Sequence, residues 1–215
     1  MVQVTSPQVV ELAHEIIMQI QSRVNKPLSE HIHVALTDHI AFLVRRCKMG
    51  LPIENPFDLQ TATLYPKEYA IASEIVDVLS SRLKLKIPSG EAGFISLHII
   101  SALHNETMTQ LQEENYLIAK LVSVLEKQLN REIDKNSLSY VRLLTHIRFC
   151  IERIRRNETL QAPSEMIAHI RETYPRCYEL AQMMLQGVQD ELNCPINDAE
   201  VFYMSLHLYR YMQVV

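Results

Sequence analysis

The sequence lacks three features that would each point to a particular class of function. It has no excess of basic residues, since its formal net charge is −4 at pH 7, and this argues against direct nucleic-acid binding by this segment. Its four cysteines occur singly, with no C-x-x-C, which predicts reduced thiols in an intracellular protein. No signal peptide is evident, and no apolar stretch approaches the ~18 residues that span a bilayer. These absences predict a cytoplasmic globular protein without membrane insertion.

Helical periodicity dominates the pattern that is present. Apolar residues recur at spacings of three and four, and no segment alternates in the manner of an exposed strand, so the predicted fold class is all-α. Ser6 and Pro7 favour one helix start, Ser29 another, and Gly50 a helix end. "NDAE", Asn197 to Glu200, has the spacing of a capping box. Helices are predicted over about 7–24, 29–49, 66–83, 90–103, 109–129, 137–156, 163–173, 175–192 and 198–212.

An internal repeat divides the chain into two copies of one helical-bundle domain. Three landmarks occur in the same order in both halves, at offsets of 107, 109 and 109 residues. They are "DHIAFLVRR" with "THIRFCIER", "YPKEYAIA" with "YPRCYELA", and "EAGFISLHI" with "EVFYMSLHL". A loop absorbs the two-residue difference. The predicted domains are 1–106 and 107–215.

The repeat also sorts the nine histidines into two groups. His39 in the first copy corresponds to His146 in the second, and His98 corresponds to His207. Each of these four has an apolar residue three positions before it, on the same helix face, which is typical of a packed core histidine. The other five have no histidine at the matching position: His14, His31, His33, His104 and His169.

Three functional uses of the paired histidines compete with that structural interpretation. A metal site is disfavoured because no H-E-x-x-H or E-x-x-H spacing surrounds them, so neither a metal nor a cofactor is predicted. General acid–base catalysis needs a shared partner, yet Asp38 beside His39 corresponds to Thr145 in the second copy. Covalent acceptance of a phosphoryl group needs only an accessible ring nitrogen and a docking surface for the donor.

The repeated landmarks resemble a known family. "DHI", "YP..Y..A" and "E.GFISLHI", in this order in both copies, are similar to the paired PTS regulation domains (PRDs) of bacterial sugar-operon antiterminators, the BglG/SacY/LicT family. The likeness covers essentially the whole chain. "EHIHVALTDHIAF", the "NPF" at Asn55–Phe57 and the ending "SLHLYRY" resemble the glucose-type branch in particular.

The resemblance implies a regulator controlled by phosphorylation and not an enzyme. In such proteins the sugar-specific enzyme II of the phosphotransferase system (PTS) phosphorylates the first domain when its sugar is absent. The general phosphocarrier HPr can phosphorylate the second. Position by position, the resemblance implies His39 and His98 as acceptors in the first domain, and His146 and His207 in the second.

Other residues near the histidines have expected supporting roles. Asp38 matches the family's Asp-His pair, whereas Thr145 departs from it, so equal roles for the two domains are not implied. Four arginines are expected to dock acidic partners or pair with phosphate, or else to form a solvated face: Arg45, Arg46, Arg148 and Arg153. Glu91 and Glu200 are interpreted as first-turn residues that complement the helix dipole.

The family also carries a small, mostly β-structured RNA-binding domain at its N-terminus. Helix is predicted here from about residue 7, so we expect this chain to be either the regulatory part of a longer protein or a piece made from it, and we favour the second. It would form a homodimer and act on RNA only through a domain absent here. Two alternatives stay open: the PRD pair of a DNA-binding, PTS-regulated activator and, more remotely, a helical-bundle metal protein.

Overall fold

The computed structural model describes residues 6–214, with the backbone alone for Val214. Within this range the chain forms ten α-helices and no strand, so the all-α prediction is confirmed. The helices are α1 Pro7–Arg23, α2 His31–Lys48, α3 Asp58–Leu64, α4 Pro66–Leu83, α5 Glu91–His104, α6 Met108–Leu129, α7 Leu138–Arg155, α8 Ser164–Thr173, α9 Pro175–Leu192 and α10 Asp198–Val214. No helix in the described range is long and apolar enough to cross a membrane.

The first compact unit ends at Gln112 and is a four-helix bundle. Its neighbours run in the order α1, α2, α5 and α4, and α4 packs back on α1. The short helix α3 packs against α4 and α5. Each of the four long helices contributes an apolar stripe to one core, because isoleucine and leucine recur there at helical spacing. Ile16, Leu36, Ile75 and Ile95 are representative, each at most 1% exposed.

The second compact unit begins at Glu113 and repeats this arrangement with α6 to α10. Helix α10 packs against α7, α8 and α9, and the ion pair of Lys120 with Glu191 joins α6 to α9. Tandem helical domains are therefore confirmed. The two units divide between Gln112 and Glu113, inside α6, while the domain boundary at 106/107 stays a prediction.

Some of the predicted helix boundaries rest on identifiable caps. The Ser6 side chain accepts a hydrogen bond from the amide of Val9, with Pro7 in the first turn, as predicted. Gly50 follows α2 at a φ of 68°, in the left-handed region that favours glycine. The prediction that Ser29 caps α2 is wrong: Glu30 precedes the helix, and the hydroxyl of Ser29 instead lies 2.9 Å from Nδ1 of His31.

Helix α3 was not predicted from the sequence. It spans only seven residues, "DLQTATL", too few for a helical period to stand out. Its position immediately before Tyr65 matches that of α8 before Tyr174 in the second unit. The internal repeat therefore carried the signal for α3 although the local pattern did not.

Candidate functional site

The predicted histidines of the first unit meet where α2 packs against α5. The ring centroids of His39 and His98 lie 5.0 Å apart. Arg46 follows His39 by seven residues on α2, and Glu91 precedes His98 by seven residues on α5. The Nη2 atom of Arg46 lies 2.9 Å from Oε1 of Glu91. Both pairs can form in this register only if the helices run antiparallel, since seven residues are two helical turns. The contact between the helices thus carries a histidine pair and, next to it, an ion pair.

Glu91 connects these two pairs. Its side chain is fully buried, and its Oε2 lies 3.2 Å from Nε2 of His39, although the two are not aligned as a hydrogen bond. Burial alone would raise the pKa of Glu91, but the interactions with His39 and Arg46 outweigh burial and lower it. Glu91 is therefore held as a carboxylate. A buried carboxylate therefore lies beside the ring of His39.

His98 is the most enclosed member of the set, at 8% exposure. Burial, followed by the charges of His39 and His31, lowers its pKa to about 3. The ring is therefore neutral near pH 7 and keeps a nitrogen lone pair, which is the form that acts as a nucleophile. His39 is more open, with 14% of its side chain exposed. In the first unit, His39 is thus the histidine that an incoming partner reaches more readily.

The second unit builds the same contact between α7 and α10. The rings of His146 and His207 stack with centroids 3.3 Å apart and an interplanar angle of 16°. Two turns away, Arg153 binds Glu200 through Nε at 3.0 Å and Nη2 at 2.8 Å, and the thiol of Cys150 donates to Glu200 at 3.3 Å. The register of the first unit is reproduced residue for residue.

The electrostatic surroundings of the two histidine pairs nevertheless differ. In the second unit Glu200 is bound by Arg153 and Cys150. Among the described residues of that unit, no carboxylate contact of His146 corresponds to the 3.2 Å approach of Glu91 Oε2 to His39 Nε2. Burial and then the charges of three arginines, Arg153, Arg210 and Arg142, lower the pKa of His146. Burial, His146 and two of those arginines lower the pKa of His207 to about 4. A carboxylate thus faces the first pair, and guanidinium groups surround the second.

The remaining predicted residues occupy varied positions. Asp38 and Arg45 are exposed on α2. Arg148 forms an ion pair with Glu114 at 3.4 Å, so it is joined to α6. Arg46 and Arg153 are engaged by Glu91 and Glu200, and are therefore structural partners of buried carboxylates in this conformation. Among the predicted arginines, only Arg45 lies fully on the surface.

The sequence-based interpretation of Glu91 and Glu200 was incomplete. Both do lie in the first turn of their helices, but both are at most 4% exposed and bind arginine. In each copy an arginine follows the first histidine by seven residues and a glutamate precedes the second by seven. That reciprocal spacing predicts an antiparallel pairing and could have revealed the ion pair.

Other uses of the site find little support in its geometry. Within residues 6–214 no group of three or more histidine, cysteine or acidic side chains is placed to hold a metal ion. A cavity of about 170 Å³ borders His146, Cys150 and Glu200, but burial, and then Glu200, raise the pKa of the Cys150 thiol. A thiol so protonated is a poor nucleophile. The histidine pairs remain the predicted phosphoryl acceptors at this contact.

Comparison with known proteins agrees with this domain arrangement. The family described as PRD domain matches the chain twice, over residues 14–102 and 119–211. The two matches contain the two histidine pairs, and together they cover most of the chain. The chain therefore belongs to the PRD family, and the predicted resemblance to PRD-containing antiterminators is confirmed.

Relatives of the chain include named antiterminators. It is 40% identical over 170 residues to the "PtsGHI operon antiterminator" of Bacillus subtilis (strain 168), with 79% of this chain and 60% of that protein aligned. It is 38% identical to "Protein GlcT" of Staphylococcus haemolyticus (strain JCSC1435), over 94% of this chain and 74% of that protein. A third relative, "Protein GlcT" of Staphylococcus aureus (strain JH9), is 36% identical over 85% of this chain and 65% of that protein.

The chain thus spans between 60% and 74% of the length of these relatives. A solved structure, "Crystal structure of GlcT CAT-PRDI", is 46% identical in sequence and has a TM-score of 0.46. The match covers 46% of this chain and 60% of that one.

Proposed function

We propose that this chain is the phosphorylation-controlled regulatory region of a sugar-operon transcriptional antiterminator, with glucose as the preferred sugar. The observation that carries the proposal is the histidine pair at the same helix contact in both units, His39 with His98 and His146 with His207. Family membership supplies the class of regulator. The pairs supply the residues on which regulation acts, so the chain is a regulator and not an enzyme.

The chemistry is a phosphoryl transfer between proteins. A lone pair of the neutral acceptor ring attacks phosphorus, and a new P–N bond forms as the bond between phosphorus and the donor side chain breaks. The leaving atom of the donor keeps the electron pair of that bond. The acceptor ring releases its other N–H proton to the donor or to solvent. The low pKa values of His98 and His207, about 3 and about 4, favour this step because they keep the lone pair free near neutral pH.

Two donors are part of the proposal. The sugar-specific enzyme II phosphorylates the first domain, and HPr phosphorylates the second. The different surroundings of the two pairs are consistent with different donors, since a carboxylate faces His39 and arginines surround His146. Exposed Phe42 and Phe149, each one turn after the first histidine of its unit, provide apolar contact surface for a docking protein.

Phosphorylation would act through charge. A phosphoryl group adds about −1.5 to −2 charges near neutral pH, at the edge of an apolar helix contact. If the pairs border a two-fold homodimer interface, symmetry places two such groups near each other, and their repulsion exceeds the ~1–3 kcal/mol of ordinary allosteric coupling. A change in dimerisation would then control RNA binding by an attached RNA-binding domain.

The test is reconstitution with enzyme I, HPr, the glucose-specific enzyme II and radiolabelled phosphoenolpyruvate. His39→Gln/His98→Gln should abolish labelling of the first domain, and His146→Gln/His207→Gln that of the second. His14→Gln/His33→Gln is the matched control, because these rings also face each other, with centroids 5.9 Å apart, but lie on the exposed surface. The control should be labelled like the parent chain.

Two results would count against the proposal. Undiminished labelling of the His39→Gln/His98→Gln variant would refute the assignment of the first site. Light scattering of the chain before and after phosphorylation measures its assembly state. If the molar mass stays the same whether the first or the second domain is phosphorylated, control through dimerisation is refuted.

A further inference from the structure

In the second unit, arginine side chains lie at one end of the contact between α7 and α10 that carries His146 and His207. A cavity of about 110 Å³ opens there beside the stacked rings, and its lining includes Ser139, Arg142, His146, His207 and Arg210. One water needs only ~15 Å³ of such space, so the cavity has room for a larger polar group. Neither Arg142 nor Arg210 has a role predicted from the sequence.

The antiparallel register explains why both arginines reach this cavity. Arg142 lies four residues before His146 on α7, and Arg210 lies three residues after His207 on α10. Each is therefore one helical turn from its histidine, and the opposite directions of the two helices bring both turns to the same end. Arg153 and Glu200 lie at the other end.

The two guanidinium groups are available for a ligand. Both arginines are exposed, and neither has an ion pair or hydrogen bond to any other residue in the described part of the chain. Three other arginines near this contact are engaged by carboxylates: Arg148 and Arg155 by Glu114, and Arg153 by Glu200. The charges of Arg142 and Arg210 also lower the pKa of His146, which places them within electrostatic reach of its ring.

The first unit has no arginine at either of the two equivalent positions. Ala35 stands at the position of Arg142, and Ser101 stands at the position of Arg210. The hydroxyl of Ser101 is already engaged, since it donates to the carbonyl of Glu106 at 2.5 Å and lies 3.1 Å from Nε2 of His31. The two histidine pairs thus have the same register. They differ in the side chains next to them that could bind an anion.

We propose that Arg142 and Arg210 form an oxyanion-binding site that holds the phosphoryl group carried by His146 or His207, a site absent from the first unit. The inference deepens the proposed function and rests on it for the source of the phosphoryl group. Guanidinium groups bind phosphate oxygens through charge-assisted hydrogen bonds, and two of them can share one dianionic group.

The consequence is a difference in lifetime between the two modified domains. Hydrolysis breaks the P–N bond, water oxygen forms the new P–O bond, and one water proton ends on the ring nitrogen, which keeps the electron pair. Protonation of the phosphorylated ring accelerates this loss because it makes the ring a better leaving group. Nearby positive charge disfavours that protonation, so Arg142 and Arg210 slow hydrolysis in the second unit.

Free inorganic phosphate and the covalent phosphoryl group share the same dianionic chemistry, so the first arm of the test uses phosphate alone. The unphosphorylated chain is titrated with phosphate at constant ionic strength while the ring signals of His146 and His207 are followed by NMR. Saturable shifts that are lost in Arg142→Gln/Arg210→Gln support an anion site. Their persistence in that variant overturns it. Shifts too weak to saturate show that only the covalent group is held, provided that the second arm succeeds.

The second arm uses phosphoramidate, a small donor that transfers its phosphoryl group to histidine and releases ammonia, so no PTS protein is needed. Loss of phosphate from each histidine is followed by mass spectrometry of alkaline peptide digests. We expect Arg142→Gln/Arg210→Gln to shorten the phosphohistidine lifetime in the second domain about three- to tenfold, as for two partly exposed charge contacts. Arg142→Lys/Arg210→Lys should retain most of the lifetime.

The control is Arg156→Gln/Arg176→Gln, which removes two exposed arginines of the same unit that do not line the cavity. It should leave the lifetime unchanged. An equal lifetime in the parent and in Arg142→Gln/Arg210→Gln overturns the inference, even if PTS proteins label the chain. Conversely, if phosphoramidate reveals the arginine effect but PTS proteins transfer nothing, the proposed function fails while the oxyanion site stands.

Discussion

Replacing Glu91 with glutamine removes one charge from the buried ion pair that the first unit places next to its histidines. The side chain of Glu91 is fully buried, and that of Arg46 is 8% exposed. Arg46 Nε and Nη1 are buried without a hydrogen-bond partner, and its guanidinium lies 5.0 Å from the ring centroid of Phe42. Without the carboxylate, the positive charge of Arg46 stays buried with little to compensate it.

The expected destabilisation is large for a change of one atom. Removing one partner of a buried ion pair costs about 3–5 kcal/mol, and the lower value applies because glutamine still offers one oxygen to Arg46. For a domain of about 100 residues, about 3 kcal/mol lowers the melting temperature by about 12–24 °C. Glu200→Gln should cost less, about 1–2 kcal/mol, since 27% of the Arg153 side chain is exposed and water can solvate it.

Urea unfolding of the whole chain, followed by hydrogen exchange with mass spectrometry, measures the loss unit by unit. The matched control is Glu15→Gln, which breaks the exposed pair of Glu15 with Arg82 and should cost at most about 1 kcal/mol. A Glu91→Gln variant that loses no more stability than Glu15→Gln would show that the buried pair does not hold α2 and α5 together.

Three further predictions follow from individual side chains. The pKa of His98 is about 3 in the folded chain and about 6.5 in the unfolded chain, so the unfolded chain binds a proton at a higher pH than the folded chain does. The free energy of unfolding should therefore fall as the pH drops below about 6.5, by at most ~1.4 kcal/mol per pH unit. Urea unfolding at about pH 7 and about pH 5 tests this, and a slope that His98→Gln does not reduce would contradict it. Gly93→Ala should destabilise the first unit by about 1–2 kcal/mol in thermal unfolding, because the new Cβ would lie 2.7 Å from Oδ1 of Asp58. The other carboxylate oxygen of Asp58 already accepts a hydrogen bond from Tyr69. Unchanged stability would contradict this prediction. Cys150 should react with a thiol reagent at least about tenfold more slowly than Cys194, because its thiol is buried with a raised pKa, and equal rates would be evidence against the buried contact with Glu200.

The local sequence pattern predicts most of the helices of the fold. Nine of the ten helices in residues 6–214 are predicted within a few residues, because their apolar positions recur over several turns. The capping prediction at Asn197 holds in one direction only: its Oδ1 accepts the amide of Glu200 at 3.0 Å, while the Glu200 side chain binds Arg153 instead of completing the box. A capping-box pattern cannot show that a stronger charged partner lies on another helix.

The sequence predicts which histidines form the candidate site, but it does not predict the charged groups that contact them. The repeat pairs the four histidines by position, but only the antiparallel packing shows that members of one pair touch. The same packing turns Arg46 and Arg153 from surface candidates into partners of buried glutamates, and brings Arg142 and Arg210 to one cavity. Such contacts depend on two helices distant in sequence, so no single segment encodes them.

The most direct test of the account is to locate the phosphoryl groups after reconstitution with the PTS proteins. Alkaline digestion and mass spectrometry preserve and map phosphohistidine. We expect modification within the paired set His39, His98, His146 and His207, and none on the five unpaired histidines. Phosphate found on His14, His31, His33, His104 or His169, with the paired histidines unmodified, would contradict it.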